Sequence, residues 1–159
     1  DHPAIALLYT EMGRNYSDIP DYTSAKRYLQ MSLDMYRRLF GDNSDRADIA
    51  DAFGILGCCF SDMGDHKEAV EYFRADLEMS KRIHGEDSDH PEIAVVLSNL
   101  GYIYYNMKEY INAQERYRLA LYIYQRVHGE DSDHPGIVIA LRGLGLTYDA
   151  MEEIEREGI

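Results

Sequence analysis

Apolar side chains recur along this chain at steps of three and four residues, the spacing that gathers them on one face of an α-helix. One stripe runs through Ile5, Tyr9, Met12, Tyr16 and Ile19. It returns at Ile49, Phe53, Leu56, Phe60 and Met63, at Ile93, Leu97, Leu100, Tyr104 and Met107, and at Ile137, Leu141, Leu144, Tyr148 and Met151. A second stripe follows each of the first three: Ala25, Leu29, Leu33, Tyr36 and Leu39; Ala69, Phe73, Leu77, Ser80 and Ile83; Ala113, Tyr117, Leu121, Tyr124 and Val127. The stripes predict helices of about 15 and about 18 residues in alternation. Pro20-Asp21, Gly64-Asp65 and Lys108-Glu109 mark the turns between them. Gly41, Gly85 and Gly129 are placed to end the second helices.

The pattern has a period of 44 residues. Asp1-His2-Pro3 recurs in register as Asp89-His90-Pro91 and Asp133-His134-Pro135, and Asp45-Arg46-Ala47 stands where the remaining copy belongs. The chain therefore reads as one array of repeats, 1–44, 45–88, 89–132 and a partial 133–159 that holds only a first helix. Repeats two and three agree at 16 of 44 positions, including His-Gly-Glu-Asp-Ser at 84–88 and 128–132. Gly13, Gly57, Gly101 and Gly145 share the thirteenth position. A helical glycine costs about 1 kcal/mol against alanine, so four in register predict a neighbouring helix too close for a Cβ. Each hairpin has an apolar face it cannot cover alone, and stacking is the remedy. Asp45, Asp89 and Asp133 are expected to cap the next first helix, with Pro91 and Pro135 accommodated in its first turn. The chain has no initiator methionine and opens on the recurring tripeptide, so it is expected to be a piece of a longer protein.

Charge narrows the partners. Sixteen Lys and Arg stand against 29 Asp and Glu, a net charge of −13. That balance argues against nucleic acid and against anionic membranes, both of which attract cations. Apolar runs such as Ile93–Leu97 and Ile137–Leu141 are far too short to span a bilayer. The two cysteines, Cys58 and Cys59, are adjacent and staple nothing, so the chain is expected to be reduced and cytoplasmic.

Little here promises chemistry. The linkers His84-Gly-Glu86-Asp87-Ser-Asp89-His90 and His128-Gly-Glu130-Asp131-Ser-Asp133-His134 collect histidines and carboxylates of the kind Zn²⁺ and Ca²⁺ accept. Their spacing matches no established metal loop, and capping of the flanking helices explains them better. No metal and no cofactor is expected. The two cysteines lack a Cys-x-x-Cys partner and read as packing residues, as do Tyr16, Tyr104, Tyr117, Tyr124 and Tyr148. Glu152 and Glu153 point apart on a helix and belong to a solvated face, while Lys26-Arg27, Arg37-Arg38 and Lys81-Arg82 suit i,i+4 pairing. No nucleophile elbow, phosphate loop or zinc-protease helix is present, so an enzyme is not expected.

Leu97, Leu100, Gly101, Tyr104, Ala113, Tyr117 and Ala120 of the third repeat resemble the signature of the tetratricopeptide repeat (TPR). The usual unit has 34 residues; the 44-residue unit with its His-Pro linker is similar to the repeats of kinesin light chains. That resemblance implies an all-α fold: a right-handed α-α superhelix, or solenoid, of antiparallel helical hairpins. It also implies a protein-interaction scaffold, with a partner's peptide held in a concave groove lined by the first helices.

With positions 5, 9, 12, 16 and 19 turned inward, positions 7, 10, 11, 14, 17 and 18 are expected to line that groove. The first repeat offers Leu7, Thr10, Glu11, Arg14, Ser17 and Asp18, and the second Asp51, Gly54, Ile55, Cys58, Ser61 and Asp62. The third offers Val95, Ser98, Asn99, Tyr102, Tyr105 and Asn106, and the fourth Ile139, Arg142, Gly143, Leu146, Asp149 and Ala150. The third set looks most like a site, because tyrosines beside amides give stacking area and donors for a peptide backbone. By the resemblance, Asn99 corresponds to a groove asparagine that grips peptide main chain. Only Asn99 matches the Lys, Asn and Arg positions with which related arrays hold a C-terminal carboxylate. The groove set is acidic, so a polar, aromatic or basic segment is the expected ligand. The competing readings are a structural spacer or self-associating array, with a homodimer through the truncated end, and the sensor segment of a larger multidomain protein.

Overall fold

The computed structural model describes residues 1–42, 44–130 and 132–158, which form seven α-helices and no strand. They are α1 (Pro3–Asp18), α2 (Tyr22–Phe40), α3 (Ala47–Asp62), α4 (His66–His84), α5 (Pro91–Asn106), α6 (Tyr110–His128) and α7 (Pro135–Glu157). Asp131, one of the linker carboxylates, and the C-terminal Ile159 lie outside the described residues. The chain divides into two compact units, Asp1–Gly85 and Glu86–Ile159.

In the first unit α1 packs on α2 and α3 on α4, and α3 also lies against both α1 and α2. Tyr36, Leu29, Leu56 and Phe73 are its largest fully buried apolar side chains. In the second unit α5 and α6 form the hairpin, and α7 packs on both. Its core holds Ile93, Leu97, Leu100, Ile103, Tyr104, Tyr117, Tyr124, Ile137 and Leu144.

Glycine explains how closely the paired helices approach. A Cβ on Gly13 would meet the Leu29 side chain at 2.5 Å; on Gly57 it would meet the Phe73 ring at 2.8 Å, and on Gly101 the Tyr117 ring at 3.0 Å. Each thirteenth-position glycine thus seats one large residue from the second helix of its own repeat. Gly145 breaks the series, because a Cβ there meets nothing. No second helix lies over α7 among the described residues.

The same absence corrects several expected core positions. Leu141 and Tyr148 are 51% and 42% exposed, whereas their third-repeat counterparts Leu97 and Tyr104 are buried. Ile5, Ile19, Met63 and Val127 also stay exposed, at the ends of their helices. Tyr16 is half-buried and stacks on Tyr28, with ring centroids 5.3 Å apart. The turns and helix ends form where expected: Lys108 takes φ 62°, and Gly41, Gly85 and Gly129 take φ 86°, 104° and 93°. At Glu152, the counterpart of Gly64 and Lys108, the chain stays helical, so α7 runs on to Glu157.

The capping assignment needs a second correction. The N-cap residues are His2, Arg46, His90 and His134, one position after the aspartates. The Nδ1 atoms of His2, His90 and His134 accept from the backbone N–H of Ala4, Glu92 and Gly136 at 3.1, 3.4 and 3.1 Å. Freed from capping, Asp1, Asp45 and Asp89 pair with Arg38, Arg82 and Arg126, at 2.9, 2.6 and 3.1 Å. The partners are always 37 residues apart, and each pair ties the end of a second helix to the start of its own repeat. Arg38 and Arg82 are therefore engaged across the hairpin rather than in i,i+4 pairs along their helices.

Two buried tyrosines make the fold sensitive to alkali. Burial, helped by the Asp48 carboxylate, pushes Tyr36 up to about 12, and burial with Tyr102 and Tyr105 nearby does the same to Tyr117. A folded value above the unfolded one of about 10 means stability that is complete below pH 10 and lost as pH rises through 12. Urea unfolding is expected to shift to lower denaturant between pH 9.5 and about 11.5, and Tyr36→Phe with Tyr117→Phe to flatten that dependence. An equal loss in the double variant would assign it to other groups.

Candidate interaction surface

The candidate surface is built from the outward positions of the first helices, and each unit presents its own. Positions 7, 14 and 18 do reach solvent in most repeats. In the first unit Leu7, Asp18, Asp51, Cys58 and Asp62 are exposed, with Glu11 beside them and Arg14 half-exposed. In the second unit Val95, Tyr102, Asn106, Ile139 and Leu146 are exposed, with Asn99, Tyr105 and Ala150 partly covered.

Position 10 behaves differently. Thr10 is fully buried and its hydroxyl lies 2.7 Å from that of Ser32, which donates to the Ala6 carbonyl at 2.8 Å. A Cβ on Gly54 would sit 2.8 Å from a carboxylate oxygen of Asp76. Ser98 is only 7% exposed; its hydroxyl donates to the Ala94 carbonyl at 2.9 Å and faces the Tyr124 hydroxyl. Ser98 therefore does not join the expected groove set. The tenth position faces the second helix, because a broader arc of the first helix is covered than the apolar stripe alone marks. Arg142, the tenth residue of its repeat, is exposed for the reason given for Leu141: among the described residues no second helix lies over that side of α7. Ile55 and Gly143, at position 11, are buried as well.

Electrostatics separates the two surfaces. In the first, one cation stands among Glu11, Asp18, Asp51 and Asp62. The Arg14 Nη2 donates to both oxygens of Asp51, at 2.7 and 2.6 Å, and this hydrogen bond holds the guanidinium above its ordinary value. Both groups are substantially exposed, so the pair adds little stability, yet it occupies the arginine of this named set. The Tyr22 hydroxyl donates to Asp62 at 3.5 Å. Although Cys58 reaches the surface, partial desolvation of its sulfur, then the Asp62 carboxylate, pushes the thiol up to about 11, which keeps it protonated at neutral pH. Cys59 is buried and donates to the Ser17 hydroxyl at 3.3 Å, a packing residue as expected.

The second surface is nearly neutral and more aromatic. Tyr102 is 54% exposed, and Tyr105 stands edge-on to Tyr110 with centroids 5.6 Å apart. Asn99 and Asn106 flank them on α5. Asp149, on α7, is also exposed. No helix is long and apolar enough to cross a membrane.

Two groups of the kind that catalysis uses make structural contacts here. His134 caps α7, and its ring stacks on His128 with centroids 3.7 Å apart. Glu152 accepts from Arg156 at 2.8 Å.

Comparison with known proteins agrees with this reading of the fold. No curated protein matches the chain. Among solved structures, BtubC (BKLC) from P. vanneervenii is 22% identical, with a TM-score of 0.84 over 98% of this chain and 60% of its own. The kinesin light chain nearly identical TPR-like repeats from Podosopora anserina are 18% identical, with a TM-score of 0.79 over 98% of this chain and 71% of theirs. A Rap protein complexed with competence and sporulation factor is 17% identical, with a TM-score of 0.76 over 98% of this chain and 40% of its own. The chain thus spans about three-fifths of BtubC and two-fifths of the Rap protein. All have the all-α helical-repeat superhelix class that the sequence implies. The profile of the tetratricopeptide repeat matches residues 4–82 and 92–156, nearly the whole length. The chain belongs to the tetratricopeptide repeat family.

Proposed function

We propose that this chain is a protein-interaction scaffold whose first helices bind a peptide segment of a partner. The observation that carries the reading is the α5 row in the second unit, where exposed Tyr102 stands with Asn99, Tyr105 and Asn106. Half-exposed tyrosines offer large apolar area at low entropic cost, and the amides can pair with a peptide main chain. The Rap relative was solved in complex with competence and sporulation factor, and binding of a protein or peptide partner is proposed here too. In the first unit the row of carboxylates, with its arginine already paired to Asp51, favours a basic segment. The chain acts by binding rather than by chemistry, in keeping with a fold that is generally a non-catalytic scaffold. The preferred ligand is a polar, aromatic or basic peptide.

Selection from a displayed random-peptide library tests the reading. Basic and aromatic segments are expected to be enriched on the wild-type chain. Their binding is expected to weaken roughly tenfold with Asn99→Ala and Tyr102→Ala combined, each such step being worth about 1.4 kcal/mol. Circular dichroism would confirm that the variant is folded. Enrichment of acidic peptides, or binding indifferent to the variant, would overturn the proposal.

A further inference from the structure

One tyrosine of α6 differs from its counterparts in the earlier repeats. Leu29, Phe73 and Tyr117 hold the same position, and only Tyr117 ends in a polar atom. Its ring passes Gly101 and ends at Gly143, where a Cβ would collide with Cζ, the carbon that bears the hydroxyl. Gly143 is the eleventh residue of its repeat, and the other eleventh residues, Glu11, Ile55 and Asn99, all carry side chains. The phenol tip therefore occupies the room that a side chain takes elsewhere.

That tip lacks a partner. Only 5% of Tyr117 is exposed, yet its hydroxyl makes no hydrogen bond among the described residues, nor is its oxygen sealed from solvent. Two other buried tyrosines differ, since Tyr36 and Tyr124 turn their hydroxyls to Asp48 and Ser98. Burial, then the nearby Tyr102 and Tyr105 phenols, holds Tyr117 up at about 12, so the hydroxyl keeps its proton at neutral pH and can donate. A polar group in so dry a place gains most from an acceptor that comes with a ligand.

The neighbours say which acceptor suits it. Gly143 lies four residues after Ile139 and three before Leu146, the spacing that sets all three on one face of α7. Ile139 and Leu146 are exposed there, and α7 packs on α5, where Val95 and Tyr102 hold the same two positions. Val95 and Tyr102 stay exposed although both α6 and α7 pack on α5, so this is the outward face of the unit. None of these side chains is ionised at neutral pH. A carboxylate brought here would give up its hydration and meet no cation among them, whereas a neutral carbonyl gives up far less.

We propose that Tyr117 reads the partner's main chain: its hydroxyl donates to a backbone carbonyl of the bound peptide, while an aromatic side chain of that peptide lies across Tyr102, Ile139 and Leu146. The inference rests on the peptide-binding reading above and narrows it to segments with an aromatic residue beside that carbonyl. The hydrogen bond sets the register of the peptide, and the apolar contacts select the residue.

The probe is the aromatic peptide most enriched in the library selection, labelled with fluorescein and titrated with the whole chain. Tyr117→Phe keeps the ring and loses the donor, and is expected to weaken binding roughly three- to tenfold. Circular dichroism checks that the variant is folded. Replacing each peptide amide in turn by a thioamide, whose sulfur is a poorer acceptor, is expected to reveal one position with a loss of the same size. In Tyr117→Phe that replacement should cost nothing more, a coupling that a merely structural effect of the variant would not produce. Binding unchanged by Tyr117→Phe, or a thioamide penalty equally large in the variant, overturns the inference. Coupling to a carboxylate of the peptide instead, or failure to enrich any aromatic peptide, overturns it as well. If the chain with Asn99→Ala and Tyr102→Ala binds the probe as tightly as the wild type, the peptide-binding reading falls too. If that chain is weakened and Tyr117→Phe is not, only this inference fails.

Discussion

Replacing Tyr117 by alanine is expected to cost about 3–5 kcal/mol, the range for removing a large buried ring. Tyr117 is 5% exposed, and its ring lies against a glycine of each of two first helices. A Cβ on Gly101 of α5 would come within 3.0 Å of it, and one on Gly143 of α7 closer still. At those two contacts glycine offers no side chain to swing into the void, so closing it there takes movement of the helices themselves. The loss should therefore fall toward the upper end of the range. Tyr117→Phe keeps the ring and should cost far less. Urea unfolding followed by circular dichroism reads both. A loss below about 1 kcal/mol for Tyr117→Ala would mean that α7 collapses onto α5 and α6 with little penalty.

The reverse change, filling a glycine slot, is expected to be almost as damaging where the slot is occupied. Gly57→Leu places four carbons where the Phe73 ring already lies 2.8–2.9 Å from an ideal Cβ. Phe73 is 2% exposed and has nowhere to go. Overpacking of this kind costs about 3 kcal/mol or more, well above the roughly 1 kcal/mol that losing a helical glycine returns. Gly145→Leu is the matched control, since the residue has the same position in its repeat but open space above it. There the helix-propensity gain of up to about 1 kcal/mol should stand alone and raise stability. If both changes were equally destabilising, the glycines would be serving backbone conformation instead of helix approach.

That contrast also shows where reading the sequence stops. Gly57 and Gly145 are indistinguishable in the repeat pattern, as are Tyr104 and Tyr148. What separates them is whether a second helix lies over them, a property of neighbours rather than of the residue. The first-helix stripes were legible because a helix with one covered side repeats its apolar positions at 3.6 residues. The width of the covered arc was not legible. Thr10, Gly54 and Ser98 are small or polar, so nothing in their chemistry marks them as covered; Ser32, Asp76 and the Ala94 carbonyl make burial tolerable by hydrogen bonding or by fitting a missing Cβ. Ser98 was consequently expected on the surface and Arg142 in the groove.

The histidine caps follow the same logic. Aspartate is the better intrinsic cap, so Asp89 and Asp133 were the natural choice from the chain alone. Tertiary placement brings Arg38, Arg82 and Arg126 to the first residue of their own repeats, and a charged pair there holds three of the aspartates; histidine takes the cap in the first and third repeats, and Arg46 stands at the second without a side-chain cap bond. A spacing of 37 residues carries no meaning until a hairpin closes it.

By itself the sequence determined the architecture: helices from the 3.6-residue stripes, hairpins from the turn dipeptides, the 44-residue period, and the family through Leu, Gly, Tyr, Ala and Tyr at fixed spacing. These follow from local backbone preference and from the periodic burial that any stacked hairpin demands. Only the tertiary structure decided which outward positions are surface, which arginine is already paired, and which glycine slot stands empty. Those depend on what each residue meets across the hairpin, and identical local sequence says nothing about whether that neighbour is there.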